Sequence, residues 1–145
     1  MRNRHDLTAF FSPSSIALVG ASPSAGKISG VILENLMNSF KGAIYPVNPR
    51  YSEVMGLKCY PSIDAIGKAV DLAVYALGAE SVPEAILNAG GLARGAIVVS
   101  GGFAEAGPKG ALLEKALKDA ARATGMRVIG PNCLGVMSPI SGLNA

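Results

Sequence analysis

The sequence holds no tryptophan, one histidine and two cysteines, and only 6% of its 145 residues are aromatic. Each scarcity removes a class of chemistry. The histidine, His5, falls in a polar opening stretch ahead of any patterned segment, so it reads as a solvated residue and not as a base. Ser100 therefore has no histidine partner, and it lacks a Gly-x-Ser-x-Gly turn, which argues against hydrolase chemistry. Cys133 has no base close by in sequence and is expected to be a small, half-buried turn residue, not a nucleophile. Cys59 and Cys133 stand far apart, and no cluster has metal-ligand spacing, so no metal site is expected. Two thiols in a domain of this size suggest a reducing compartment, the cytoplasm.

Long apolar runs are also missing. None approaches the ~20 residues that a membrane-spanning helix needs. The basic start, Met1 to Asp6, is not followed by a continuous apolar stretch with a cleavage site, which argues against a secretory signal. The net charge is +3, and the 13 lysines and arginines are dispersed without an aromatic-rich basic stripe. Neither nucleic acid nor a membrane is an expected partner.

What the sequence does have is aliphatic: half of it is hydrophobic, mostly alanine, valine, isoleucine and leucine. That composition suits buried parallel strands flanked by helices. Five short apolar runs, at 15–19, 43–47, 71–76, 95–99 and 127–129, alternate with helical patterns at 28–40, 82–89 and 110–124 and a short helical turn near 63–67. The alternation predicts βαβ units, hence an α/β, Rossmann-like, doubly wound and mostly parallel five-stranded sheet. In the last helix, Leu112, Leu113, Ala116, Leu117, Ala120 and Ala121 recur at helical spacing, and Gly125 stands where a C-cap glycine belongs. Residues 1–12 read as an N-terminal tail, 13–137 as one binding domain, and 138–145 as the start of a linker to a further domain.

In an open parallel sheet, ligands bind outside the carboxyl ends of the strands, where the strand order switches. The loops after the five runs are Gly20 to Lys27, Asn48 to Tyr51, Leu77 to Ala79, Ser100 to Phe103 and Gly130 to Cys133. Most carry glycine and small polar residues, which let phosphates approach backbone N–H groups at a helix start. The first loop is neither a Walker A loop, since five residues separate Gly20 from Gly26 and Ile28 follows Lys27, nor a Gly-x-Gly-x-x-Gly turn, since position 22 is serine. At the end of the second run, Asn48 and Arg50 replace the acidic residue of an NAD site and suit a phosphorylated ribose, leaving NADP and coenzyme A as alternatives. Glu105 is expected to cap the fourth loop.

Four stretches resemble the coenzyme A-binding domain of the NDP-forming acyl-CoA synthetase family, which includes ADP-forming acetate–CoA ligases and the alpha subunit of succinyl-CoA synthetase. They are Ser15 to Ser22, Ile44 to Tyr51, Gly101 to Glu105 and Val128 to Gly135, the last holding the Gly-Pro-Asn-Cys-Leu-Gly box. The resemblance implies that coenzyme A contacts Ser22, Pro23, Ser24, Ala25, Gly26 and Lys27 in the first loop. It implies contacts at Val47, Asn48, Pro49 and Arg50 in the second loop and at Val99, Ser100 and Gly101 in the fourth. Asn132, in the last turn, would lie near the reactive thiol end. It further implies an acid–CoA ligase that interconverts acyl-CoA, ADP and phosphate with acid, CoA and ATP through a phosphohistidine in another domain. ATP, ADP and magnesium would act only through other domains or a subunit, in a homo- or hetero-oligomer, and this chain alone would be inactive. The third loop departs from the family's proline-containing pattern, so its contacts stay open. Two alternatives remain at this point: a CoA-sensing domain fused to an acetyltransferase, and an NADP-binding oxidoreductase domain.

Overall fold

The computed structural model describes residues 6–24 and 26–145; His5 and Ala25, both singled out above, lie outside the described residues. In chain order the elements are α1 (Thr8–Phe11), β1 (Ser15–Val19), α2 (Ile28–Ser39), β2 (Ala43–Val47), β3 (Glu53–Val54), β4 (Leu57–Lys58), β5 (Val70–Tyr75), α3 (Val82–Ala89), β6 (Ala93–Val98), α4 (Pro108–Thr124), β7 (Arg127–Ile129), β8 (Met137–Ser138) and β9 (Leu143–Asn144). The main sheet has the order β2-β1-β5-β6-β7, and all four of its pairings are parallel. The five expected strands and three expected helices are thus present, joined by crossovers that put helices on both faces.

Side-chain alternation along the strands builds two cores. Ile16, Leu18, Leu72, Val74 and Ile97 face α2, whose Ile32, Leu33 and Leu36 cover them. On the other face Ala17, Ala73 and Ala96 lie side by side across β1, β5 and β6. This row of small side chains opens space for α3 and α4, which contribute Val82, Ile86, Leu117 and Ala120. In α4 the buried positions are Gly110, Leu117 and Ala120. Leu112, expected on the apolar stripe, is instead 70% exposed. At 100° per residue it points about 140° away from Leu117, so apolar identity alone misplaced it.

The described residues near both ends of the chain pack against the sheet and α2. Phe10 in α1 is 2% exposed, and it packs over Gly95, where a Cβ would stand only 2.8 Å from the ring. Arg127 lies above the same ring, its guanidinium 6.0 Å from the centroid. At the other end β8 and β9 form a hairpin that buries Leu143 against the α2 face, and the Ser138 hydroxyl donates to the Phe11 carbonyl at 2.6 Å. Phe10 in the first segment and Leu143 with Ala145 in the last do the packing, too few to create a periodic pattern. Phe10→Ala is expected to cost about 3–5 kcal/mol of unfolding free energy, the range for emptying a buried phenylalanine site. Urea denaturation measures it; a value within about 0.5 kcal/mol of zero would mean that the Phe10 contact adds nothing to the fold.

Candidate functional site

The order of the strands places the switch between β1 and β5, and a cleft of about 620 Å³ opens there at the carboxyl edge. The first and third loops meet at its floor. Gly20 has φ +91°, and a Cβ on it would lie 2.5 Å from the Ala76 carbonyl oxygen. Its N–H donates to the Val47 carbonyl at 2.9 Å, which draws the second loop to the same place. Lys27 stands at the N-cap of the 12-residue α2, so its ammonium and the free N–H groups of the first turn add positive charge to one wall.

Of the residues expected from sequence, Lys27, Val47, Asn48, Pro49 and Arg50 line this cleft. Asn48 acts as a tie: its Nδ2 donates to the Ala21 carbonyl at 2.8 Å, and its Oδ1 accepts from the Arg50 N–H at 2.9 Å. The side chain thereby fixes the first and second loops together and sets where Arg50 begins. Behind it, the Cys59 thiol donates weakly to the Asn48 carbonyl at 3.6 Å, and burial pushes that thiol's pKa up.

The other expected residues among those described are not part of the cleft lining. Ser22 is buried and accepts from the Ser24 N–H at 3.2 Å, whereas Pro23, Ser24 and Gly26 are exposed on the loop. Val99, Ser100, Gly101 and Asn132 belong to the neighbouring rim. The Ser100 hydroxyl donates to the Leu77 carbonyl, and the Ser100 carbonyl accepts from the Asn132 N–H at 2.9 Å. One serine therefore ties together the loops after β5, β6 and β7. The expected cap is present: Glu105 Oε1 accepts from the N–H groups of Gly102 at 2.5 Å and Phe103 at 3.1 Å. These bonds, the one from Gly102 foremost, hold its carboxyl below the usual range. Cys133 is a half-buried free thiol that donates to the Val98 carbonyl at 3.3 Å, in a turn with Asn132 at φ 52°.

Sequence reasoning missed one wall altogether. Pro61 to Asp64, which follow no main strand, line the cleft together with Ser81, just ahead of α3, and Ala85, Asn88 and Ala89 of α3. Leu77 and Gly78 of the third loop, whose contacts were left open, also line it. Nothing local in the sequence marks the 61–64 segment, because it is brought beside the second loop by a parallel bridge at Tyr60, whose N–H donates to the Pro46 carbonyl at 2.9 Å and whose carbonyl accepts from the Asn48 N–H at 2.8 Å. A larger hollow of about 770 Å³ lies at the opposite, amino edge. Its charges are already paired or offset: Arg94 sits 3.5 Å from Asp71, and Arg127 donates to the Asp6 carbonyl. The carboxyl-edge cleft, with Lys27 and Arg50 against Asp64 alone, is the one that suits a polyanion. Among the described residues no group of three acidic, histidine or cysteine side chains could hold a metal, and no helix is long and apolar enough to cross a membrane.

Because the floor of the cleft depends on Gly20, Gly20→Ala is expected to destabilise the fold by more than about 1 kcal/mol, through both the positive φ and the collision with Ala76. A thermal melt of the variant reads this directly, and an unchanged midpoint would show that the two loops can separate without cost.

Known proteins give the cleft its context. The family described as CoA binding domain matches residues 14–139. An ADP-forming acetate–CoA ligase I of Archaeoglobus fulgidus is 44% identical over 93% of this chain, which spans 20% of that protein. An ADP-forming acetate–CoA ligase II subunit alpha of Pyrococcus furiosus is 39% identical over 96% of the chain, here 31% of the relative. Among solved structures, a dinucleotide-forming acetyl-coenzyme A synthetase 1 of Ca. Korarchaeum cryptofilum, in complex with phosphate and ADP, superposes with a TM-score of 0.91 at 42% identity, covering 97% of this chain and 30% of that one. With the switch-point cleft, the two cations at its rim and a family match over most of its length, the chain belongs to the CoA binding domain family.

Proposed function

We propose that this chain is the coenzyme A-binding part of an ADP-forming acid–CoA ligase. The observation that carries the reading is the convergence of Lys27 and Arg50 on a switch-point cleft in a chain 39–44% identical, nearly end to end, to parts of such ligases. Lys27 and the α2 N-terminus take the diphosphate, where a charge-assisted bond and helix N–H groups act on the same oxygens. The exposed backbone of Pro23, Ser24 and Gly26 closes over it from the first loop. Arg50, set in place by Asn48, takes the 3′-phosphate of the ribose, for which a guanidinium offers two donors in one plane. The rim built from Ser100, Gly101 and Asn132 guides the pantetheine arm, so that its thiol emerges beside the turn at Cys133.

The chain spans about a fifth to a third of its ligase relatives. The remaining steps therefore belong to further domains or a partner subunit: ADP, ATP and magnesium are handled there, and a phosphohistidine there carries the phosphoryl group. The balanced reaction is acyl-CoA plus ADP and phosphate to acid, CoA and ATP, in either direction. Two free cysteines accord with a cytoplasmic location. The acetyltransferase-fused and NADP readings gain nothing from these comparisons, since the family is a CoA-binding one and the relatives compared above are ligases or synthetases.

Calorimetric titration of the 145-residue chain with CoA, 3′-dephospho-CoA, NAD and NADP tests the reading. CoA is expected to bind most tightly, and tighter binding of NADP would overturn it. Lys27→Ala and Arg50→Ala should each weaken CoA by roughly ten- to a hundredfold, the loss of one hydrogen bond to a charged group. Arg50→Ala should also narrow the gap between CoA and 3′-dephospho-CoA, while Lys27→Ala weakens both alike. Incubated with acid, CoA and ATP, the chain by itself is expected to form no acyl-CoA.

A further inference from the structure

Asp64 is the one carboxylate among the described residues that line a cleft otherwise marked by Lys27 and Arg50. A negative charge in a site for a polyanion opposes binding unless the ligand brings a hydrogen-bond donor to it. Asp64 is also held in place. It opens the 3-10 turn Asp64–Ile66, closed by the Gly67 N–H donating to the Asp64 carbonyl at 3.0 Å, and the preceding Ile63 is 5% exposed and anchors the segment in the core. Its exposed carboxylate is engaged by no hydrogen bond or ion pair among the described residues and stays available to a ligand.

The surroundings define what the ligand presents there. Across from Asp64, α3 offers Ala85 and Ala89, one and two turns below the rim where the helix begins. Two turns correspond to about 10 Å, enough for a nucleoside lowered from phosphates held at the rim. With Ile63 these alanines give this part of the cleft an apolar lining, beside Ser62 and Asn88, against which a flat ring can pack. Of the parts of coenzyme A, the adenine base is the flat one, and it carries a donor, the exocyclic amine, on its edge. We propose that Asp64 accepts a hydrogen bond from the adenine 6-amino group and so selects an adenine-bearing ligand over one with a carbonyl at that position. The proposal rests on the CoA reading above.

The test compares CoA with its deaminated analogue, in which hypoxanthine replaces adenine, on the wild-type chain, Asp64→Asn and Asp64→Ala, by calorimetry. A hypoxanthine carbonyl is an acceptor and is repelled by the carboxylate, whereas an asparagine amide can donate to it. Wild type is expected to prefer CoA by roughly tenfold or more. Asp64→Asn should weaken CoA by about that factor and abolish or invert the preference, and Asp64→Ala should abolish it, with melting temperatures unchanged. If the variants lower both affinities equally, Asp64 meets the ribose or the pantetheine arm, and the proposal is wrong. If they change neither, the carboxylate is merely solvated, and it is equally wrong. Wild type binding neither compound would instead overturn the CoA reading itself.

Discussion

Strand β1 lies between β2 and β5, so the chain leaves it toward one side and later returns past it on the other. Everything functional in the molecule follows from that position. The loops after β1 and β5 part company at the carboxyl edge, and the gap between them is the cleft. The parting is anchored at one point, where the Gly20 backbone rests against the Ala76 carbonyl too closely for any side chain. Parallel pairing throughout the main sheet then delivers the loops after β2 and β6 to the same edge. No single loop is long enough to make a site; their convergence makes it.

Polar side chains at this edge fall into two groups with different physical roles. Asn48, Ser100 and Glu105 have their hydrogen-bonding capacity engaged by backbone groups: Ala21 and Arg50, Leu77, and Gly102 with Phe103. Loop backbone near a cleft would otherwise need water for its N–H and C=O groups, and these ties give it a fixed shape instead. Lys27, Arg50 and Asp64 reach the cleft on loops and turns so fixed, two cations and one acceptor. Preorganised loops with a few charged ends are suited to a long, anionic, flexible ligand, because little of the protein has to be ordered when it binds.

The opposite edge shows why volume alone does not locate a site. The hollow there is the larger of the two described, yet Arg94 pairs with Asp71, whose other oxygen is bonded by the N–H and hydroxyl of Ser14. Those contacts sew α1 and β1 to the amino ends of β5 and β6. With Phe10 seated on Gly95 and the β8–β9 hairpin bonded to Phe11, they make the segments on either side of the main alternation part of its packing.

The strands and helices were legible because each is a local pattern: apolar runs of β-branched residues for the strands, repetition near 3.6 for the helices, glycine at the end of α4. The first and second loops were legible too, since glycine, Lys27, Asn48 and Arg50 follow directly on strands. By itself, then, the sequence determined the five-stranded α/β architecture, the carboxyl edge at which the cleft opens and two cations, Lys27 and Arg50, that line it, all properties written over spans of a few neighbouring residues. The tertiary structure alone decided that Pro61 to Asp64 and the flank of α3 form the other wall, that Ser100 ties a rim instead of lining a cleft, and that Phe10 and Leu143 are core. Each of these depends on residues tens of positions apart being brought within hydrogen-bonding or van der Waals distance. Such contacts exist only once the crossovers have closed, and no local pattern records them.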